Sequence, residues 1–327
     1  MSASGAERGR QRLRFVWQTG FFILFALAPF FNIFRYDLDA GHAWLLGMPW
    51  RLGLDAFIAG KIGALEAGGN ILLRLFLPLL VGGGGLMIIA WRWGRIYCGW
   101  LCPHFSAVET INQLMRRASG KFSIWDRQPI PPRNPDGSAR PSHPAWWILT
   151  VLFAVGFAAL WAVVLLTYLL PPAEVYGRLW AMNPTRNQSI FLIAATTVLT
   201  LEFLFARHLF CRYGCAVGVF QSLAWMSNRG AMVVGFERPR AADCNACYDN
   251  GGPGYAACEG VCPMRLRPRT TKQKMFTCTQ CAQCVDACGT VQGARGKESL
   301  LRWVDKDAAR LNEAQVSLTG NRDSIRG

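Results

Sequence analysis

The chain has 327 residues, 52% of them hydrophobic and only 17% charged, with mean hydropathy +0.18 and formal net charge +15. So large an apolar fraction excludes a disordered chain, so few charges are atypical of a soluble domain, and the length excludes a small disulfide-stapled module. The basic excess fits nucleic acid, a membrane surface or an acidic protein partner, and the 12 cysteines divide into three sets of four.

Four apolar runs come in order, at about 15–34, 71–91, 145–169 and 189–210. Each reaches the ~20 residues that cross a ~30 Å hydrocarbon core as a helix, so four transmembrane helices are predicted. The first run has signs of a signal peptide, with Arg8, Arg10, Arg12 and Arg14 ahead of it and an A-x-A at Ala26 to Ala28. Pro29 just past that site, and the length of the run, argue for a retained helix. Lys and Arg number four in the N-terminal segment, eight in 92–144 and 17 from 207 onward, against three in 35–70 and two in 170–188. The asymmetry predicts a membrane protein with both termini and the 92–144 loop cytoplasmic. Trp91, Trp93, Trp100, Trp146 and Trp147 sit where interfacial anchors sit. Arg74 lies near the periplasmic end of its run and is expected to snorkel. Glu202 lies deeper, where a charged side chain costs about 2.5–3.5 kcal/mol on insertion scales. It reads either as a proton or quinone-site group or as a snorkelling or helix-paired carboxylate.

The chain repeats itself in outline. The first helix pair ends in Arg95-Ile96-Tyr97-Cys98-Gly99-Trp100-Leu101-Cys102-Pro103, the second in His208-Leu209-Phe210-Cys211-Arg212-Tyr213-Gly214-Cys215-Ala216. After the first, Phe105, Val108, Ile111, Leu114 and Met115 recur at helical spacing; after the second, Val217, Phe220, Leu223 and Met226 do. Both stretches are expected to lie as helices in the membrane interface. Residues i and i+4 share a helix face, so each C-x-x-x-C can aim two sulfurs one way. Pairing of the halves would join Cys98, Cys102, Cys211 and Cys215 at the membrane edge. Such a site suits a third [4Fe–4S] cluster or copper as Cu(I), and the spacing does not choose; free packed thiols are the plain alternative.

After residue 235 the hydrophobicity falls. Cys278-x-x-Cys281-x-x-Cys284-x-x-x-Cys288 is the bacterial ferredoxin run, in which the fourth cysteine serves the other cluster. Upstream, Cys244, Cys247, Cys258 and Cys262 form the same run opened by a ten-residue insert, YDNGGPGYAA, read as a loop. Crossed ligation then assigns Cys244, Cys247, Cys258 and Cys288 to one [4Fe–4S] cluster and Cys262, Cys278, Cys281 and Cys284 to a second. Structural zinc needs no such run, and disulfides do not suit the cytoplasmic side. With no base or substrate pocket evident beside these cysteines, no catalytic residue is assigned and the chemistry is one-electron transfer. Between the runs, Arg265, Arg267, Arg269, Lys272 and Lys274 read as a solvated face near anionic lipid, or as a docking patch for an acidic donor or nucleic acid. His42 with Met48 and Met182 is a weak candidate for catching periplasmic copper, and His104 and His208 flank the C-x-x-x-C motifs.

The predicted fold is thus an α-helical membrane protein of two pseudo-repeated hairpins with a cytoplasmic α+β two-cluster ferredoxin-like domain. Its predicted parts are a membrane domain (1–235), a ferredoxin-type domain (236–292) and a polar tail (293–327) whose patch Leu300, Leu301, Trp303 and Val304 packs briefly on the ferredoxin module.

Cys98-Gly-Trp-Leu-Cys102-Pro103, Cys211-Arg-Tyr-Gly-Cys215 with Phe220-Gln221-Ser222, Glu237-Arg-Pro-Arg240 and the cluster cysteines together resemble the membrane polyferredoxins of the cytochrome oxidase accessory family (CcoG/FixG/RdxA). At a coarser level they resemble the NapH and NosR type. The likeness covers about residues 12–292. It implies reduction of Cu(II) to Cu(I) for haem–copper oxidase assembly, with the C-x-x-x-C pairs as copper ligands. Ala216 and Gly289 stand where that family has proline, and no fifth apolar run and no immunoglobulin-like domain follow the ferredoxin module. The leading expectation is a membrane electron carrier with cupric reductase activity, served by a cytoplasmic donor and working with membrane lipid and with copper-transport or oxidase-assembly proteins, as a monomer or homodimer. Nucleic acid is not expected as a partner. Quinol-linked transfer to a periplasmic reductase pathway and a non-redox copper chaperone are the competing expectations.

Overall fold

A computed structural model describes residues 3–125, 134, 138–206, 208–245, 247 and 256–318. Most of the ten-residue insert, together with Arg127, Arg133 and Arg207, lies outside the described residues. The chain divides into two compact units, one of Met1–Thr19, Met87–Val151 and Phe203–Gly327, the other of Gly20–Leu86 and Leu152–Glu202. Four helices, Ala3–Leu27, Ala64–Trp93, Trp146–Thr167 and Arg186–Ala206, each begin in one unit and end in the other.

Among the described residues, three helices are long and apolar enough to cross a membrane: Ala64–Trp93, Trp146–Thr167 and Arg186–Ala206. The first expected span is shorter than its apolar run. Its helix stops at Leu27, because Pro29 has no N–H to continue the ladder, and the chain turns through Ala28–Asn32 into a strand at Phe34. From Phe15 to Leu27 such a helix covers about 20 Å at ~1.5 Å per residue. None of the most apolar window of Ala64–Trp93 is buried by protein. Leu72, Leu73, Leu79, Leu80, Val81 and Ile88 are all exposed. At about 25 cal/mol per Å², such a surface is stable only in apolar surroundings, and a membrane supplies them.

In the second unit, Phe25 stacks between Trp161 and Tyr168, ring centres 4.9 and 5.1 Å away. The Tyr168 hydroxyl donates to the Phe25 carbonyl at 2.9 Å. This pairs the first apolar run with the third. The connection that follows the first run, expected only as a periplasmic link, folds as a three-stranded antiparallel sheet of Phe34–Asp37, His42–Leu45 and Met48–Trp50. Thr185 caps the helix Arg186–Ala206 in a reciprocal box with Gln188. Arg74 and Glu202, both inside apolar runs, fall on π-helical turns, Arg74 in Leu72–Phe76 and Glu202 at the head of Glu202–Ala206. Arg74 is exposed and is held at the backbone of the preceding connection. Its guanidinium donates to the Arg51 carbonyl at 2.8 Å, and its own carbonyl accepts from Trp50 Nε1 at 2.9 Å.

In the first unit, Val233–Phe236 pairs antiparallel with Leu301–Val304, in register Val233 to Val304. Leu300 and Leu301 are fully buried, and the helix Lys306–Leu318 adds Asn312, whose Oδ1 accepts from the Phe236 amide at 3.0 Å. Around this sheet pack the helices Pro103–Ser119, Ala216–Ser227 and Gln283–Gly293, with Trp225, Phe105, Met264 and Met275 at the core. The basic start of the first helix is also structural. Arg14 Nε and Gln18 Nε2 donate to the Gly99 carbonyl at 2.7 and 3.1 Å, Arg14 pairs with Glu109, and Arg10 pairs with Asp286 at 2.9 Å.

Candidate metal centre

The two ferredoxin runs fold around two cavities. Cys244, Cys247, Cys258 and Cys288 line the first, with Phe236, Leu300 and Leu301. Cys262, Cys278, Cys281 and Cys284 line the second, with Val234, Met264, Leu266 and Met275. The crossing arises from the helix Gln283–Gly293, which sends Cys284 to one cavity and Cys288 to the other. Cys258, in the short helix Ala257–Gly260, and Cys262 just beyond it do the reverse. Three non-glycine residues beside the second cavity hold left-handed backbone: Arg265, Gln280 and Ala282, with φ of 52°, 54° and 60°. Such residues are uncommon and often mark function. Here they bend the chain so that cysteines close in sequence face one cavity.

The residues fit an iron–sulfur cubane. A cubane takes each thiolate at a different corner, and each set supplies four thiols around one cavity with apolar walls. Among the described residues no three His, Cys, Asp or Glu side chains meet around a single ion. The Leu266 amide donates to Cys262 Sγ at 3.4 Å. Burial pushes the Cys278 thiol up to about 12 and the Cys244 thiol up to about 11, the latter opposed by Arg269. These thiols are neutral until a metal displaces their protons.

The four membrane-edge cysteines also come together, but not as two helix faces. Cys98 lies in the short helix Ile96–Trp100, and Cys211 in the π-helical turn Phe210–Gly214. Cys102 and Cys215 fall outside those turns, at the N-cap positions of the helices Pro103–Ser119 and Ala216–Ser227. An N-cap thiol meets unpaired amides and the positive end of the helix dipole. Burial raises Cys102 to about 11 against the opposing pull of the Phe105 and His104 amides. Burial also raises Cys211, and the charges of Cys102, Cys98 and Cys215 push it the same way, so all four sulfurs lie within electrostatic reach. The halves interlock there. Cys98 Sγ donates to Gln221 Oε1 at 3.6 Å, and Arg95 Nη2 donates to the Cys211 carbonyl at 2.6 Å.

This set adjoins the second cavity. Trp100 Nε1 donates to the Gln280 carbonyl at 2.9 Å. Gly99 lies so close to the Cys278–Cys281 loop that a Cβ there would be 2.1 Å from the Thr279 carbonyl oxygen. Cys102, Cys211, Cys262 and Cys278 belong to one packed cluster.

The other candidates resolve differently. The helix Pro103–Ser119 buries its apolar face, including Phe105, Val108, Ile111, Leu114 and Met115, in protein instead of laying it in the interface. The helix Ala216–Ser227 exposes Val217, Phe220 and Leu223 and buries Gln221, Ser222 and Trp225. His104 packs on Phe203 and Phe210, and His208 stacks on Phe105 at 4.8 Å. His42 turns Nδ1 to the Ala40 carbonyl and packs on Trp44, while Met48 and Met182 are exposed. The basic run is not one solvated face: Lys272 is buried, with its ammonium on the Trp225 and Asn228 carbonyls, both at 2.6 Å, and Arg269 pairs with Glu259. Arg95, Gln221, Gly99 and Gly218 matter here although spacing alone did not single them out. The one available signal was the glycine inside each C-x-x-x-C.

A family model described as a 4Fe-4S binding domain matches twice, over residues 75–121 and 187–230. Each match holds one C-x-x-x-C motif. The candidate electron transport protein YccM of Escherichia coli is 24% identical over 234 residues, 71% of this chain and 57% of YccM. The nitrogen fixation protein FixG of Rhizobium meliloti is 26% identical over 244 residues, 67% of this chain and 42% of FixG. Protein RdxA of Cereibacter sphaeroides is 25% identical over 237 residues, 67% and 45%. The chain thus spans about half the length of these relatives. No solved structure matches it significantly.

Proposed function

Since the chain belongs to the FixG and RdxA polyferredoxin family, we propose that it is a membrane-bound iron–sulfur electron carrier with Cu(II) as its acceptor. Electrons from a cytoplasmic donor enter through the set Cys244, Cys247, Cys258 and Cys288, pass to the set Cys262, Cys278, Cys281 and Cys284, and leave at Cys98, Cys102, Cys211 and Cys215. The observation that carries this reading is the arrangement of three four-cysteine sets in sequence, two around their own cavities and the third packed against the second.

When bound, each [4Fe–4S] cluster supplies reversible storage of one electron. The chain's own residues exclude water from the cavities, fix the thiols, and hold the third set close. At that set one electron converts Cu(II) to Cu(I), which soft thiolates then retain. The unit boundaries support a topology with both termini cytoplasmic. Of 35 Lys and Arg residues, 29 fall in the unit that carries the cysteines and six in the other, an imbalance of the kind that keeps basic segments inside.

One observation favours a second reading, in which the third set holds a [4Fe–4S] cluster of its own. The family model matched to both C-x-x-x-C segments is one of 4Fe-4S binding. Anaerobic purification with iron, sulfide and copper counted separates the two. Eight irons with copper bound support the first reading, and twelve irons support the second. Chain with reduced clusters should be oxidised stoichiometrically by Cu(II). If Cys98→Ala with Cys211→Ala leaves that rate unchanged, the terminal role of the third set is refuted.

A further inference from the structure

Arg95 carries a charge that the protein does not neutralise. It is only 1% exposed. Nη2 donates to the Cys211 carbonyl, the guanidinium also meets the Cys98 thiol, and no carboxylate pairs with it among the described residues. A buried charge stripped of its partner typically costs several kcal/mol. The fold nevertheless makes room for this one. A Cβ at Gly218 would lie 2.3 Å from Nη2, so the second repeat needs a glycine where the guanidinium of the first repeat crosses it. Around Arg95 lie thiols of two sets. The guanidinium bonds at Cys98 and Cys211 of the membrane-edge set, and Gly94, next in sequence, lies against the Cys278–Cys281 loop of the ferredoxin set, where a Cβ would be 3.2 Å from Gln280 Nε2. Thiolates gathered around metal ions supply the negative charge that the surrounding side chains lack.

We propose that Arg95 is the shared counter-charge of two adjacent metal–thiolate sites, the set of Cys98, Cys102, Cys211 and Cys215 and the set of Cys262, Cys278, Cys281 and Cys284. The inference rests on the electron-carrier reading. A fixed positive charge favours the reduced, more negative state of each site, so Arg95 raises both reduction potentials. Arg95 is a positioning residue; it ligates nothing. Arg269 lines the cavity of Cys244 and Cys258 and holds the equivalent place only for that set.

The test is an anaerobic redox titration, followed by electron paramagnetic resonance, of the full chain in detergent, with iron counted in every variant. Arg95→Gln should lower the potential of the Cys278-set cluster. The reduced fraction at fixed potential should fall roughly tenfold, which for a one-electron couple is 59 mV, while the Cys244-set cluster stays put. Arg95→Lys should restore most of the shift. Arg269→Gln should move the Cys244-set cluster alone. Gly218→Ala, which crowds the guanidinium without removing it, should shift the Cys278-set cluster in the same direction as Arg95→Gln, and keeps the test decisive if Arg95→Gln loses iron. An unmoved Cys278-set potential, or equal movement of both clusters, overturns the proposal while leaving the carrier reading intact. Wild-type chain without a reducible cluster overturns the carrier reading itself.

Discussion

Replacing Gly99 by alanine adds one carbon at the point where the first C-x-x-x-C meets the ferredoxin loop. That carbon would stand 2.1 Å from the Thr279 carbonyl oxygen and 3.1 Å from the Thr279 carbonyl carbon. Ordinary contact begins at 3.4 Å, so the two backbones must part by about 1.3 Å. Neither partner is a flexible side-chain end. Gly99 is tied by Arg14 and Gln18 on its carbonyl, and the neighbouring loop by the Trp100 bond to Gln280. Overpacking of this kind costs about 1–3 kcal/mol, and here it falls on the seam between the third cysteine set and the second. Gly99→Ala should lower the unfolding midpoint, retain the iron of the two ferredoxin sites, and slow the oxidation of reduced clusters by Cu(II), because transfer weakens steeply as sites separate. Stopped-flow absorbance of the cluster band, with iron counted on the same sample, reads both effects. A variant that transfers electrons at the wild-type rate would refute the claim that this contact sets the spacing.

Cys288→Ala should abolish the cluster of Cys244, Cys247 and Cys258 while the signal assigned to Cys278, Cys281 and Cys284 persists, although Cys288 belongs to the latter run; loss of the other signal alone would refute crossed ligation. Glu109→Ala leaves the buried Arg14 guanidinium without its carboxylate and should destabilise the chain by about 3–5 kcal/mol, measured by denaturant unfolding in detergent. Burial pulls the Lys272 ammonium down to about 8 from 10.5, against the opposing pull of Glu313. The folded chain releases this proton before the unfolded chain does, so this residue's contribution to stability should grow as pH rises from about 8 to about 10.5. Melting curves of wild type and Lys272→Met across that window should diverge in slope, and parallel curves would count against the buried charge.

What spacing could reveal was local. Cluster cysteines lie two or three residues apart because one loop must wrap a cubane, so their grouping is legible in the chain, as are long apolar runs. The helix-face argument for Cys98 and Cys102 failed for a reason also written locally: Pro103 suits the first turn of a new helix, which makes Cys102 a cap and not a neighbour one turn on. The end of the first helix at Leu27 was signalled by Pro29 but outweighed by the apolar residues beyond it. Contacts such as Arg14 on Gly99, Arg95 on Cys211 and Leu301 on Phe236 join segments 85, 116 and 65 residues apart. No period or motif encodes them. The basic N-terminus reads as a topology signal alone until its guanidinium groups are seen to hold the ferredoxin module.

The interleaving of Cys284 and Cys288 on one helix, and of Cys258 and Cys262 around another, bears on how the molecule is built and lost. Each cavity takes cysteines from segments that also serve its neighbour, so filling one site firms part of the wall of the other. Damage runs the same way. A site that loses its cubane leaves its neighbour on a helix no longer held at both of its cysteines. A half-loaded chain is then a weakened conduit, more exposed to the next loss than an intact one.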